Sequence, residues 1–239
     1  MNSVRRQGCA ASTAFQTLKL ETHMVIGITN LKGGVGKTIV SQNIAVCLAT
    51  QNYSVCLVDT DTNQNSVSWA GFREPEQAEI LVVGLTDPKA MSKEVAKLDK
   101  KFDFVIIDGT PSLSEMTTRI ILASDLLIIP IIAAANDLRA LEGFFERFEQ
   151  AKEFRDEIPA YFFLNQYQNY QIQNTVVEAL KEYELPIFKT KFKNRVAYVE
   201  ANAIGSGAVE WSDTKAKSEA NGLTHEILKT IESLNLSKS

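Results

Sequence analysis

Residues 30–38 read Asn-Leu-Lys-Gly-Gly-Val-Gly-Lys-Thr, between an apolar run and a stretch with helical periodicity. Glycines let a backbone bend so that consecutive N–H groups converge on one anion, and a helix start adds partial positive charge. Lys37 can then reach the outer phosphates of a nucleotide, and the Thr38 hydroxyl can ligate Mg²⁺. Gly33, Gly34, Val35, Gly36, Lys37, Thr38 and Ile39 are the residues expected to cradle it. Chance would produce the pattern 32–38 at fewer than about one in a million start positions. The standard phosphate loop would carry glycine at 31; here Leu31 stands there, and a second lysine, Lys32, opens the loop.

Acids follow at two further strand-like ends. Asp59-Thr60-Asp61 closes the run from Ser54, and Asp108 closes Phe104-Val-Ile-Ile. Two carboxylates beside a magnesium nucleotide can divide the work, one in the metal's shell and one orienting the attacking water. Acids at strand ends are also common in plain surface turns. It is the order loop, acid pair, acid that points to chemistry.

Elements that could place these groups are legible along the chain. Strands are expected at Met24–Thr29, Ser54–Asp59, Ile80–Val83, Phe104–Asp108, Leu126–Ile132 and Tyr161–Leu164. Helices are expected from Lys37, around Lys89–Lys101, at Leu113–Ala123, Asp137–Phe154 and Val176–Tyr183, with a mostly helical tail after Lys191. Strands that are continuously apolar and alternate with helices predict an α/β fold: a mostly parallel twisted sheet with helices on both faces. Ligands of such sheets sit at the strands' carboxyl ends, where the glycine loop, Asp59/Asp61 and Asp108 all fall.

The 239 residues suit one sizeable domain, expected at 24–239, preceded by a flexible extension over 1–23 that holds Arg5, Arg6 and Lys19. A net charge of -4 excludes a globally basic nucleic-acid binder, so DNA contacts must come from a local patch. Cys9, Cys47 and Cys56 are too scattered for a disulfide framework or a metal site and predict reduced thiols in a cytoplasmic protein. The longest apolar run, Leu126–Ala135, is broken by Pro130 and falls short of the ~20 residues a bilayer needs.

Lys32–Thr38 resembles the loop of the deviant Walker A ATPases, the ParA/MinD superfamily, whose pattern Lys-Gly-Gly-x-Gly-Lys-Thr it matches throughout. The resemblance implies a P-loop ATPase using ATP and Mg²⁺, with Lys32 reaching across a nucleotide-sandwich homodimer to the partner's phosphates. It implies that Asp61 positions the water and that Asp108, as the Walker B acid, acts on Mg²⁺ through water, with Asp59 and Thr38 also in the metal's surroundings. Phe163-Leu-Asn165 is similar to the strand end where the family sets an Asn against adenine.

Two segments depart from the family's pattern. Thr62 and Asn63 replace the Pro-Gln expected after Asp61, and Ala133–Asn136 lacks the serine expected before Asp137.

Over about Met24–Ile231 the chain is most similar to small plasmid-partition ParA proteins such as ParF. That likeness implies nonspecific DNA binding by the ATP dimer at the nucleoid, slow hydrolysis and a ParB-like activator. Lys189, Lys191, Lys193 and Arg195, then Lys215 and Lys217, are the candidate phosphate contacts.

A MinD-like membrane regulator is the alternative. It would need a basic amphipathic carboxyl-terminal helix, whereas residues 225–239 offer only Lys229 and Lys238. No membrane partner is therefore expected. A cluster-bearing iron protein is disfavoured, since Cys47 and Cys56 lie inside apolar runs.

Overall fold

The structure, a computed structural model, describes residues 23–112, 115–134, 137–168 and 170–238; for 137–140 and 236–238 it describes the helical backbone alone. The expected extension thus lies outside the described residues up to His23, whose Nδ1 meets the carbonyl oxygens of Asp99 (2.6 Å) and Phe102 (3.0 Å).

Short apolar runs form the strands β1 (Met24–Ile28), β2 (Val55–Asp59), β3 (Leu81–Gly84), β4 (Phe104–Asp108), β5 (Leu126–Ile131) and β6 (Ala160–Leu164). They pair in the order β3-β2-β4-β1-β5-β6, and every pairing is parallel. The helices are α1 (Lys37–Thr50), α2 (Asn65–Ala70), α3 (Pro88–Asp99), α4 (Glu115–Ala123), α5 (Asp137–Lys152), α6 (Gln171–Leu180), α7 (Val196–Ala203) and α8 (Thr214–Lys238). The α/β sheet expected from the alternation is the fold observed.

Strand pleating sends successive residues to opposite faces. Ile26, Ile28, Leu57 and Ile106 pack beneath α1 and, beyond it, Leu223, Ile227 and Ile231 of α8. Val25, Cys56, Val58, Val105 and Ile107 face Met91 and Val95 of α3 and Met116 and Ile120 of α4. Leu127, Ile129 and Ile131 of β5 face Phe144 and Phe148 of α5. Because α1 lies between sheet and α8, Val40 to Leu48 is buried without interruption, and α1 shows little amphipathicity.

Register places the chemistry. Ile28, Asp108, Asp59 and Gly84 share one row across four strands, so both carboxyl groups fall on the face covered by α1. Pro130, inside β5, lacks an N–H only where β1 has ended; its carbonyl accepts from Asn30 Nδ2 at 2.8 Å.

Some elements differ from expectation. The short α2 was not legible. β3 begins one residue later than read, at Leu81. Helix α6 starts at Gln171 rather than Val176, because Gln173 Oε1 accepts from the Gln168 N–H and draws the chain into helix early. Leu113 lies outside the described residues, so α4 is seen from Glu115. The sheet also continues past β6 through bridges of Phe162 with Ile187 and Tyr167 with Lys193, in a segment whose lysines obscured its apolar partners. Burial pushes the thiols of Cys47 and Cys56 up to about 12, in keeping with small hydrophobes in a core.

Candidate nucleotide site

The loop 30–38 joins β1 to α1 at the sheet's carboxyl edge. Gly34 and Gly36 have φ of 76° and 83°, the left-handed region that side chains disfavour. No side chain caps α1, so the amides of its first turn are turned to the loop with no acid among them. Asn30 Oδ1 accepts from the Lys32 N–H at 3.0 Å and ties the loop's front to β5. Lys37 is buried, and its Nζ donates to the Lys32 carbonyl at 2.9 Å. Burial lowers its pKa to about 8 against the opposing pull of Asp108 and Asp61.

Asp108 is the centre of a buried hydroxyl cluster. Ser66 Oγ donates to it at 2.8 Å and Ser41 Oγ lies at 3.4 Å, while Thr38 also hydrogen-bonds it. Burial, aided by the neighbouring Asp59, pushes its pKa up to about 7.

This shift has a pH consequence. The folded state disfavours the anion, so stability linked to Asp108 is present below the ordinary carboxylate value and is lost as pH rises through about 7. Lys37, lowered to about 8, changes its contribution only above that window. Asp108→Asn should therefore raise the melting temperature of the ligand-free protein by roughly 5 °C near pH 8, and by less near pH 5. Calorimetry at the two pH values checks this, and an equal gain at both would refute the buried-anion account.

Asp59 and Asp61 stand two residues apart and have different surroundings. Asp59 is fully buried, and its oxygens accept from the backbone N–H of Asp61 (3.0 Å), Ser66 (2.7 Å) and Val67 (3.2 Å). Its contacts hold the turn into α2. Asp61 is half-exposed, and the Asn63 N–H steadies its Oδ1 at 2.9 Å. The Thr62-Asn63 departure thus leaves a closed turn after the acid.

Two cavities flank the loop. One, of about 240 Å³, is lined by Ile39, Asn165, Tyr198, Val199 and the segment 193–195. The other, of about 380 Å³, lies between Thr38, Gln42, Trp69, Phe72 and Asn202. Around the second, Arg73 clamps α2 to the segment after α7: its guanidinium donates to the Gly205 carbonyl (2.8 Å) and to both oxygens of Glu210 (2.9 and 3.1 Å). Trp69 Nε1 and Gln77 Nε2 add bonds to Ser206.

These groups have the chemistry a polyphosphate would need: glycines of left-handed φ before an uncapped helix start, a buried ammonium, and a hydroxyl–carboxyl pair, Thr38 and Asp108, with the oxygen chemistry that suits Mg²⁺. A family model of the CobQ/CobB/MinD/ParA nucleotide binding domain matches residues 26–208. The chain belongs to this family.

Within the ParA/MinD superfamily it is 27% identical over 210 residues to the maintenance of carboxysome distribution protein A of Halothiobacillus neapolitanus, covering 85% of this chain and 95% of that one. It is 29% identical over 157 residues to the sporulation initiation inhibitor protein Soj of Bacillus subtilis, covering 50% and 61%. An ATP complex of a Cyanothece McdA variant superposes with a TM-score of 0.72 at 18% identity, over 87% of this chain and 97% of the other. The cell division ATPase MinD of Pyrococcus furiosus gives 0.70 at 20%, over 87% and 100%. These structural likenesses bear on the fold. The chain is a ParA/MinD-superfamily P-loop ATPase.

In this ParA/MinD-superfamily domain, the loop residues, Asp59, Asp61 and Asp108 gather at one sheet edge. Asn165 lies beside them, its Nδ2 donating to the Val35 carbonyl at 2.8 Å. The basic set does not behave as one patch. Lys189, Lys193, Lys215 and Lys217 are exposed. Lys191 Nζ lies 4.0 Å from the Tyr167 ring centroid. Arg195 is taken up by Glu219 at 2.6 Å, which also accepts from the Tyr198 hydroxyl (2.9 Å) and the Lys193 N–H (3.0 Å). Ala135, Asn136 and the Asp137 side chain lie outside the described residues. Ser41 and Ser66 were not read from the sequence; lone serines in helices carry no signal until strand order sets them against Asp108.

Proposed function

We propose that this chain is an ATP hydrolase that pairs over ATP, binds DNA without sequence preference and positions a cargo with a ParB-like activating partner. The observation that carries the reading is the loop with two lysines. Lys37 is drawn inward, while Lys32, half-buried, opens the loop, and the family resemblance gives it the partner's phosphates in a dimer.

Thr38 and Asp108 would hold Mg²⁺, which when bound offsets charge on the outer phosphates. Lys37 leaves the Lys32 carbonyl for those phosphates. Asp61, accessible and steadied by Asn63, orients the attacking water and takes its proton. Lys32 of a second copy adds charge to the transferred group, a contribution typically worth ~10³ to 10⁵ in rate when a cation is supplied in trans.

Several large apolar side chains stand exposed near the sheet's carboxyl edge: Tyr170 and Ile172 at the start of α6, and Val196, Val199 and Ile204 on and after α7. Such groups favour a face that is covered during the cycle. Cargo positioning draws support from the name of one relative, which maintains carboxysome distribution. DNA binding would rest on Lys189, Lys193, Lys215 and Lys217, with Arg195 and Lys191 shaping the surface.

A membrane-surface role is less well supported. Leu223, Ile227 and Ile231 of α8 are buried in the core, so that apolar face is already covered by this chain. A cytoplasmic, nucleoid-associated protein, with one domain over 24–239, is the corresponding proposal.

The test is binding of the Asp61→Ala protein to random duplex DNA, with ATP and with ADP, at two salt concentrations. Binding that requires ATP and weakens steeply with salt is expected, since each neutralised phosphate releases counterions. No binding in any condition would sink the DNA-based mechanism.

A further inference from the structure

We infer that Asn165 is a positioning residue that sets the shape of the phosphate loop through the Val35 carbonyl. The inference rests on the reading that this loop binds ATP, and it assigns Asn165 a task other than contact with the base.

Asn165 follows β6 directly and is nearly fully buried. Its own N–H donates to the Ile131 carbonyl at 2.8 Å, which fixes its place at the sheet's edge. From there Nδ2 reaches back to the Val35 carbonyl, 130 positions away in sequence, at 2.8 Å. The fit at the next residue is close: a Cβ on Gly36 would lie 2.1 Å from Nδ2. Gly36 is thus required twice, for its φ of 83° and for the space that the Asn165 amide fills.

The peptide bond explains why this contact matters. A trans peptide is planar, and its C=O and N–H point in opposite directions. The Val35 carbonyl and the Gly36 N–H belong to one such plane. With the carbonyl held on Asn165, the Gly36 N–H is turned the opposite way, away from Asn165, which on the ATP reading is toward phosphate. Val35 is fully buried, so its carbonyl needs a protein donor. Without one, the plane is free to turn. A half-turn would withdraw an N–H from the anion and present a carbonyl oxygen to it.

Asn165 also lines the cavity of about 240 Å³ beside Ile39 and Tyr198. Its place therefore allows base contact as well, and the two roles make different predictions. A base reader changes affinity for ATP alone. A loop positioner changes affinity for any polyphosphate, with or without a base.

The experiment compares wild type, Asn165→Ser and Asn165→Asp for binding ATP, GTP and inorganic tripolyphosphate, each with Mg²⁺. Asn165→Ser is expected to weaken tripolyphosphate and ATP by a similar factor, about tenfold, the size of one hydrogen bond to a buried group, and Asn165→Asp, which adds an anion beside the loop, to weaken both by more. The preference for ATP over GTP should not change. Weaker ATP binding with unchanged tripolyphosphate binding would overturn the proposal, as would no change in either.

A second readout needs no ligand. In Asn165→Ser the Val35 and Gly36 amide resonances should show exchange broadening as the peptide plane turns, with those of β1 and β4 as in wild type; unbroadened resonances overturn the proposal even where tripolyphosphate binds too weakly to measure. A wild-type protein that binds neither ATP nor tripolyphosphate would refute the ATP reading itself, a result distinct from either outcome at Asn165.

Discussion

Replacing Lys37 by alanine is expected to lower ATP affinity by roughly 10²- to 10³-fold, the scale for losing one partner of a buried, hydrogen-bonded charge pair. Lys37 is buried at the start of α1 with its Nζ 2.9 Å from the Lys32 carbonyl, a neutral acceptor that phosphate oxygens would replace. In the ligand-free site burial already lowers its pKa to about 8, so the ammonium is held at a cost that a polyanion relieves. Nucleotide should therefore hold Lys37 fully protonated. Titration calorimetry with ATP measures the effect, and an affinity within about threefold of wild type would remove Lys37 from the phosphate site. Because alanine also takes away the cation beside Asp108, the variant's melting temperature should be measured alongside.

The second large effect is on rate. Asp61→Ala is expected to slow ATP hydrolysis by roughly 10²- to 10⁴-fold, the range for loss of a positioned general base, with ATP affinity little changed. The neighbouring acids cannot take over. Asp59 spends its oxygens on three backbone amides at the start of α2, and Asp108 is buried under Ser66 and Ser41. Asp61 is half-exposed with one oxygen steadied by Asn63, which leaves it able to meet water. Single-turnover hydrolysis and nucleotide binding separate the two quantities. A variant that hydrolyses ATP at the wild-type rate would refute the assignment. One that fails to bind ATP would show that Asp61 holds the loop and does not serve the water.

The chain's order of apolar runs, glycine loop and acids determined the α/β sheet and the phosphate loop. Each of these signals is contained in a few consecutive residues, so no knowledge of distant neighbours was needed to read it. The phosphate loop is the clearest case. Left-handed φ at Gly34 and Gly36, and the uncapped start of α1, are local consequences of Lys32–Thr38.

Only the tertiary structure decided which candidates share work. Asp59 and Asp61 are two positions apart in the chain, yet the register β2-β4 buries the first beside Asp108, and the chain bends before the second. Arg195 reads as one of four cations in residues 189–195, but α8 brings Glu219 against it and consumes its charge. Asn165 reaches Val35, and Arg73 reaches Glu210, because β5 and β6 stack beyond β1 and α2 lies against the segment after α7. Periodicity says which face of an element is buried. It does not say which strand lies next to which, and contacts between groups more than a hundred positions apart, such as Asn165 with Val35, follow from that order.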